Sequence, residues 1–419
     1  MTNQKPTFSL SEDWTVVVFG FLIIGLYLLG FKIQPPSFGW SDTSDLFGKV
    51  LTINNLTNIF ALFLLVYVIA ILASAALGKG ISSVAKGFPV VYMLTVVALI
   101  FAGNTFLKNW NLEAVIFSLS IGLAISNFFT VPLWLKNALS TELFVKIGLV
   151  LLGSSIIFGD ILKAGSLGFI QALLVVVAVW YFAFWLCKKM GIDEELSIII
   201  SSAVSICGVS AAIASAGAIK GDAKKLSYVI SVVLITAIPM IIFMPFIANM
   251  LGLSQAVSGA WLGGTIDTTG AVIASGSLIG EEALKISTIV KFSQNVLLGL
   301  AAFFISIYWT YTNNKSATVL ESKPTLGIIW ERFPKFVLGF IGASLLFSFV
   351  ISPQTVDVIK GDLKALQGLW FSLAFTSIGL ETKFSDLFNN EGKKPLYAFL
   401  LAQLFNVFFT LIVAYLLFK

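Results

Sequence analysis

Residues 263–270, GGTIDTTG, place one carboxylate and three hydroxyl groups within an otherwise apolar stretch of the sequence. Asp267 is the only acidic residue deep inside such a stretch, and a charge in apolar surroundings is costly and usually functional. With Thr265, Thr268 and Thr269 it supplies the oxygen atoms that a hard cation such as Na⁺ prefers. Its carboxyl group could instead take up and release a proton. The pattern therefore predicts an ion-binding site at Asp267.

Two alternatives explain this segment without a bound ion. Asp267 could cap a helix that begins after it, by accepting hydrogen bonds from the backbone N–H groups of Thr269 and Gly270. The glycines could serve only to let neighbouring helices approach closely. The residues alone leave both alternatives open.

A second polar interruption, SICGVS at residues 205–210, lies in an earlier apolar stretch. Small and hydroxylated residues loosen a helix, and in a membrane such breaks are tolerated where they face protein or a water-filled cavity. A broken helix offers N–H groups at the start of one half, which suit anions, and carbonyl groups at the end of the other, which suit cations. Close packing is again the alternative.

Three polar residues of a later apolar stretch, Lys291, Gln294 and Asn295, could line a site beside Asp267. At 1.5 Å per residue, Lys291 lies roughly 8 Å and Asp267 about 18 Å from the same end of their stretches, so an ion pair requires the chain to unwind or the lysine to reach inward. Alternatively, Lys291 snorkels to the membrane surface. Lys146, near the start of another stretch, is also expected to snorkel.

The apolar stretches themselves must position these side chains. Hydrophobic residues make up 58% of the 419 residues and charged residues 11%, with a mean hydropathy of +0.97, so the chain has more apolar surface than a water-soluble core could bury. Thirteen runs are long enough, or nearly so, to span a bilayer as helices. They lie near residues 14–31, 57–77, 87–103, 113–130, 143–159, 166–187, 195–219, 226–251, 256–279, 286–312, 333–352, 365–380 and 396–418.

Several function classes are disfavoured by what the sequence lacks. It contains no histidine and no Walker A or zinc motif, which argues against ATP-driven transport and against histidine-based catalysis. Cys187 and Cys207 form no disulfide framework. The 26 lysines and arginines are scattered through short loops, so no nucleic-acid surface is expected. We expect no enzyme, and no cofactor apart from a Na⁺ ion at Asp267.

Internal similarity predicts a repeat. A shift of sixty residues aligns residues 206–227 with 266–287 at nine of 22 positions. A second pair, residues 151–162 and 376–388, belongs to the fifth and twelfth runs, and this odd offset predicts copies of opposite orientation, as in secondary transporters. The first pair is two runs apart and predicts parallel copies. The two pairs predict the same relative orientation only if the number of membrane crossings between the aligned segments differs from this count. It would differ if the short run at 365–380 were a half-span that does not cross the membrane.

From about Phe88 to Lys419, the sequence resembles the YeiH-type sulfate exporter family of bacterial membrane proteins. The resemblance is carried by VLLGSSIIFGDIL, AVSICGVSAAIASAGAIKGD, WLGGTIDTTGAVIASGSLIGEEA and TIVKFSQN. It implies a fold similar to those of bile-acid–sodium symporters and cation–proton antiporters, with a panel domain and a core domain in which two broken helices cross. It also implies that this crossing lies at the two polar interruptions, and that Lys291 matches the family's lysine after the second.

The sequence departs from that family's pattern near the second interruption. Many members carry His-Glu where this chain has Asp267 and Thr268, and an arginine where it has Gln294. Fewer fixed positive charges argue against a dianionic substrate. Residues 1–80 are interpreted as extra N-terminal transmembrane helices, and residues 81–419 as the transporter domain.

The sequence thus predicts an all-α polytopic protein of the bacterial inner membrane, with about thirteen transmembrane helices, inverted repeats, two broken helices, and panel plus core domains. We expect a secondary transporter that moves a small anion, of the sulfate or organic sulfonate class, by alternating access, coupled to Na⁺ or H⁺ through Thr265 and Asp267. A cation–proton antiporter without an anion substrate is the alternative; a passive channel and an intramembrane enzyme are more distant ones. A homodimer is compatible with this interpretation. The predicted substrate-binding residues are Ser205, Cys207, Gly208, Ser210, Thr268, Thr269, Lys291, Gln294 and Asn295.

Overall fold

The structure is a computed structural model that describes residues 10–109, 113–313, 330–331, 333–385 and 393–419. The regular elements of these ranges are nearly all helices, because a helix pairs its own backbone groups without water. The longer helices are α1 (Glu12–Leu28), α2 (Ile53–Ala76), α3 (Ile81–Ala102), α4 (Ala114–Phe128), α5 (Thr141–Gly153), α6 (Phe158–Lys189), α7 (Glu194–Ser205), α8 (Val209–Ile219), α9 (Ala223–Met250), α10 (Gln255–Thr265), α11 (Thr269–Ile279), α12 (Glu281–Asn313), α13 (Phe336–Leu345), α14 (Pro353–Glu381) and α15 (Lys393–Phe418). Short helices and π-helical turns lie at Thr43–Asp45, Leu46–Val50, Thr105–Asn109, Leu133–Lys136 and Leu346–Val350.

Six of the described helices are long and apolar enough to cross a membrane, judged by length and composition. They are α2, α3, α6, α9, α12 as far as Trp309, and α15. The other predicted runs coincide with shorter, interrupted or more polar helices. The chain is therefore a nearly all-helical, polytopic membrane protein, while the count of thirteen crossings and the inverted repeat stay predictions.

Helix α14 is much longer than the apolar run at residues 365–380. It begins at Pro353, with the Ser352 hydroxyl capping its first turn, and it has 29 residues. It is not among the six described helices that are long and apolar enough to cross a membrane, so the interpretation of this run as a half-span stays a prediction. An apolar window misses the first turns of the helix because they carry Asp357, Lys360, Asp362 and Lys364.

The helices form two compact units, and each is described here by itself. Unit 1 consists of the described residues within 1–159 and 335–383. In it, α4 and α14 approach at Gly122 and Gly379, where a Cβ atom on either glycine would collide with the other helix's backbone. Beside this contact, the Ser126 hydroxyl donates to the carbonyl oxygens of Gly379 (2.8 Å) and Thr382 (2.7 Å). Small residues thus bring two backbones together, as in many membrane helix pairs.

Lys146 joins α5 to the start of α1 within unit 1. Its ammonium group lies 2.8 Å from Glu12 Oε1, 3.1 Å from Asp13 Oδ1 and 3.6 Å from Glu142 Oε2. The carboxylates of the first turn of α1 are brought to Lys146 across more than 130 residues of chain, and the expectation that Lys146 snorkels stays a prediction. Helix α1 is therefore packed into unit 1. The predicted boundary between residues 80 and 81 falls inside this unit and stays a prediction.

Unit 2 consists of the described residues within 160–334 and 384–419 and contains both polar interruptions. Its core is apolar and includes Val179, Ile199, Val232 and Phe399, from α6, α7, α9 and α15. Helix α10 lies very close to α12, because a Cβ atom on Gly263 would be 2.5 Å from the Ser287 carbonyl oxygen. Close packing therefore explains at least this glycine of GGTIDTTG.

Two helices of unit 2 are interrupted where the sequence predicts it. Break 1 is residues 206–208, between α7 and α8, and break 2 is residues 266–268, between α10 and α11. Helices α8 and α11 begin sixty residues apart and end sixty residues apart, which is the shift that aligns the two segments in sequence.

Candidate functional site

Each break has its own local cause. At break 1, Gly208 has φ +56° and ψ −108°, a conformation that residues with a Cβ atom rarely adopt. At break 2, Ile266 is extended, and the Thr268 hydroxyl caps α11 by accepting from the Ala271 N–H at 3.3 Å. The alternative in which Asp267 caps this helix was therefore wrong, because the residue after it supplies the cap.

Lys291, in α12, connects the two breaks. Its side chain is buried, with a relative exposure of 1%. Its ammonium group donates to the carbonyl oxygens of Ile206 at 2.7 Å and Ile266 at 2.8 Å, and to Gln294 Oε1 at 3.0 Å. The breaks therefore meet at this side chain, and the snorkelling alternative for Lys291 was wrong. No ion pair within 4.0 Å joins it to Asp267 in the described chain.

Side-chain amides occupy other backbone carbonyls at the ends of α7 and α10. Gln294 Nε2 donates to Gly264 O at 2.8 Å. Gln403, in α15, donates to Thr265 O at 2.9 Å, and Asn406 donates to Thr265 O at 3.2 Å and Val204 O at 3.1 Å. Together with Lys291, these amides therefore satisfy carbonyl oxygens at the C-terminal ends of α7 and α10 from within the protein.

Gln403 and Asn406 were missed by the sequence-based prediction. The signal for them was the segment QLFNVFFT at residues 403–410, in which three polar residues recur at positions i, i+3 and i+7 of an apolar run. This spacing puts them on one face of a helix. The third residue, Thr410, donates to Asn406 Oδ1 at 2.8 Å and so fixes the orientation of that amide.

The N-terminal ends of α8 and α11 differ from the carbonyl ends. The first N–H groups of a helix have no partner within it. Gly208 offers α8 no capping side chain, and Thr268 caps only one N–H group of α11. Ser210, in the first turn of α8, is exposed, while Thr268 and Thr269 are half-buried. Backbone donors therefore stand beside accessible hydroxyl groups at these two helix starts.

Asp267 lies between the C-terminal end of α10 and the N-terminal end of α11, and its carboxylate has few hydrogen-bond donors around it. Its relative exposure is 1%, and neither carboxylate oxygen accepts a hydrogen bond of normal geometry from any residue that the structure describes. Lys291 and Gln403 lie near enough to act on its charge. Each helix C-terminus carries about half a negative charge, so the two ends together balance roughly one ammonium ion. The positive charge of Lys291 is thereby shared between the helix ends and Asp267, so the negative charge of an ionised Asp267 is only partly compensated.

Most of the predicted site residues lie near the two breaks, but their side chains make different contacts. Asn295 Nδ2 donates to Thr269 Oγ1 at 3.3 Å, which ties α12 to the start of α11. Cys207 is buried and interacts with the Lys291 charge. The Ser205 hydroxyl turns back to its own helix and donates to Ser201 O at 2.7 Å. Ser205 therefore shapes the end of α7 without offering its hydroxyl group to a ligand.

The conformation of Gly208 gives a first test of the site. A Cβ atom there would lie 2.7 Å from Val233 Cγ1 and 3.1 Å from Asp267 Cβ, so a side chain must displace the start of α8. Gly252 has a similar φ of +63°, but no atom lies within 4 Å of the place that its Cβ atom would take. We expect Gly208→Ala to lower the unfolding free energy by about 1–3 kcal/mol more than Gly252→Ala, the usual cost of overpacking. Denaturant titration of both purified proteins measures this, and equal losses would contradict it.

Comparison with known proteins identifies relatives of the chain. A family model described as conserved hypothetical protein 698 matches residues 86–399. A UPF0324 membrane protein of Rhodopirellula baltica is 40% identical over 375 residues, covering 87% of this chain and 68% of that protein. A UPF0324 membrane protein from Nitratidesulfovibrio vulgaris is 37% identical over 356 residues, covering 82% of this chain and 61% of that protein. The UPF0324 membrane protein YdhF of Lactococcus lactis is 24% identical over 341 residues, covering 80% of this chain and 100% of that protein.

The match is partial for the first two of these relatives. The aligned region spans 68% of the first protein and 61% of the second. No solved structure matches the chain.

Proposed function

Because the chain belongs to the conserved hypothetical protein 698 family of membrane proteins, we propose a transport function for its paired breaks. The protein is a secondary transporter that moves a small anion across the membrane by alternating access, and it catalyses no chemical reaction. Asp267 carries the coupling ion, Na⁺ or H⁺. The sulfate or organic sulfonate class of substrate is supported by the YeiH-type resemblance alone.

The observation that carries this proposal is the difference between the two kinds of helix end. The carbonyl ends of α7 and α10 are occupied by the chain's own donors, chiefly Lys291. The N-terminal ends of α8 and α11 keep backbone N–H groups beside Ser210 and Thr269. A helix N-terminus attracts negative charge, and two starts near one buried ammonium group make an electropositive site. A small anion is the ligand that this arrangement favours.

Coupling is assigned to Asp267 because its charge determines the net charge of the site. With the carboxylate ionised and no cation bound, the negative charge opposes an anion at the neighbouring helix starts. Binding of Na⁺ or a proton removes this repulsion, so anion and cation occupy the site together. The same cation would then accompany the anion when the site opens to the other side of the membrane. Such mutual dependence of two ligands is what couples their gradients.

A cation–proton antiporter remains the second candidate, and a specific observation favours it. Within the described part of the chain, no group donates a hydrogen bond of normal geometry to the buried oxygens Thr265 Oγ1, Gln403 Oε1 and both carboxylate oxygens of Asp267. These atoms are acceptors of the kind that bind cations. In the antiporter, Asp267 would exchange Na⁺ for H⁺ and the helix starts of α8 and α11 would bind no substrate.

Counterflow in proteoliposomes distinguishes the two functions. Vesicles containing the full-length protein and loaded with sulfate, sulfite or taurine are diluted into the same labelled anion, at fixed pH and with equal Na⁺ on both sides. The proposed transporter should accumulate label transiently and saturably with one of these anions. If none of them exchanges, while a Na⁺ gradient acidifies or alkalinises the vesicle lumen, the protein is the antiporter. A flux that does not saturate would indicate a channel.

A further inference from the structure

We infer that unit 2 contains a binding site for one monovalent cation, of which Na⁺ is the probe, formed by Thr265 Oγ1, the Asp267 carboxylate and Gln403 Oε1. Binding of the cation does not depend on the proposed anion transport. Only its description as the coupling ion rests on that proposed function. Gln403 belongs to the last helix, and nothing in the sequence pattern around Asp267 identifies it as a ligand.

The three side chains are buried and lie together. Thr265 and Asp267 are each 1% exposed, and Gln403 is 5% exposed. The Gln403 amide rests against Thr265, since its Nε2 donates to the Thr265 carbonyl oxygen at 2.9 Å. The same amide lies near enough to Asp267 to act on the carboxylate. Thr265 and Asp267 are two residues apart at break 2, so the three side chains all lie at the C-terminal end of α10.

The number of unpartnered acceptors favours a metal cation over a proton. Among the described residues, none donates a hydrogen bond of normal geometry to either Asp267 oxygen, to Thr265 Oγ1 or to Gln403 Oε1. A buried polar atom without a partner is costly, so these four acceptors favour an electropositive ligand. Protonation of Asp267 would supply one donor and satisfy one of the other acceptors. A bound cation would contact several of the oxygens at once.

The surrounding charges favour a monovalent ion. The site contains a single carboxylate, and among the described residues no cluster of three or more His, Cys, Asp or Glu side chains could hold a metal. The buried ammonium group of Lys291 lies nearby and would repel a divalent ion more strongly than a monovalent one. A monovalent cation would balance the negative charge of Asp267. Lys291 would continue to donate to the carbonyl oxygens at the helix ends.

Other oxygen atoms near the breaks already accept hydrogen bonds, so they are less suited to bind the cation. The carbonyl groups of Ile206 and Ile266 already accept from Lys291. Among the hydroxyl groups predicted to coordinate Na⁺, that of Thr268 accepts from Ala271 N and that of Thr269 from Asn295 Nδ2. Of the three predicted threonines, Thr265 alone has a hydroxyl group with no partner among the described residues.

Replacement of Thr265 by valine is the sharpest test, because it removes one proposed ligand and no hydrogen bond to the side chain. The melting temperature of the purified full-length protein in detergent is measured while NaCl replaces choline chloride at constant ionic strength and pH. For the wild type, we expect a saturable rise with Na⁺. For Thr265→Val, we expect an apparent Na⁺ affinity about tenfold weaker, equivalent to the loss of ~1.4 kcal/mol of binding free energy.

Two further variants secure the interpretation. Thr288→Val removes a buried hydroxyl group that bonds only to Leu284 O of its own helix, so it should keep the wild-type response to Na⁺. Gln403→Met should weaken Na⁺ binding as Thr265→Val does. It should still fold, because Asn406 continues to donate to the Thr265 carbonyl oxygen.

The inference is overturned if the wild-type melting temperature is the same in Na⁺ and choline, or if Thr265→Val responds to Na⁺ as the wild type does. Stabilisation by acid alone, without a response to Na⁺, would assign the site to a proton and also overturn it. Counterflow of an anion by a protein that does not bind Na⁺ would leave the proposed transport function standing. Na⁺ binding by a protein that moves no anion would support the site and reject that function.

Discussion

Lys291→Met should lower the unfolding free energy by about 3–5 kcal/mol, the usual cost of removing one partner from a buried charged network. Methionine fills a similar volume, but it leaves the carbonyl oxygens of Ile206 and Ile266 without donors at the same time. It also leaves two helix C-termini and the Asp267 carboxylate in one buried region without a compensating cation. We expect no detectable anion counterflow from this variant, even where the protein is still folded.

Lys285→Met is the matched control for this prediction. Lys285 lies earlier on the same helix and is half-buried, and its side chain makes neither a hydrogen bond nor an ion pair with any described residue. Its replacement should change the unfolding free energy by no more than about 0.5 kcal/mol, as is usual for such positions. Denaturant titration of both variants in the same detergent gives the comparison. If the two proteins were equally stable, Lys291 would not hold the breaks together.

Asp267→Asn should have the opposite effect on stability while abolishing coupling. An asparagine of nearly the same shape carries no charge, so it removes a buried carboxylate whose oxygens both lack partners. In choline chloride without Na⁺, we expect the unfolding free energy to rise by about 1–3 kcal/mol, the usual penalty of an unsatisfied buried group. Anion exchange at equilibrium should persist, but an inward Na⁺ or H⁺ gradient should no longer drive accumulation.

Gradient-driven uptake and thermal unfolding of the same protein preparations measure these two effects. Asp160→Asn is the control for the loss of one negative charge, because Asp160 is exposed at the start of unit 2 and should affect neither quantity. If the Asp267→Asn protein accumulated anion at the wild-type rate with unchanged ion dependence, Asp267 would have no coupling role. A large loss of stability would indicate that the carboxylate has a structural partner.

The positions of both breaks could be predicted from sequence because their causes are local. Gly208 adopts a backbone conformation that its missing side chain permits, and the Gly, Thr and Asp residues of 263–270 disfavour a continuous helix. These features act over a few residues, so they are visible in a short window. The aligned segments sixty residues apart contain α8 and α11, each of which follows a break, while the repeat itself stays a prediction.

The contacts of Lys291 could not be predicted, because they depend on the non-local packing of α7, α10 and α12. Depths counted along straight helices separate Lys291 from Asp267 by roughly 10 Å. The interruption at Ile266 ends α10 at the depth of the lysine, so the ammonium group reaches backbone carbonyls instead of the membrane surface. For the same reason Lys146 meets Glu12 and Asp13, which no local pattern connects with it.

The amides of α15 show a different limit of sequence reasoning. Gln403 and Asn406 lie in a run that is predicted as an apolar crossing, and their spacing indicates only that they share a face. Which helix that face meets is decided by the tertiary fold, in which both amides donate to Thr265 O.

The hydrogen bonds of Lys291 also have a consequence for local unfolding. One ammonium group holds a carbonyl oxygen from Ile206 and another from Ile266, so a fluctuation that frays the end of α7 weakens the anchor of α10 as well. We therefore expect the two interrupted helices to open and close as one cooperative unit, although sixty residues of chain separate them. Their backbone amides should then share a single opening free energy and exchange with solvent deuterium together.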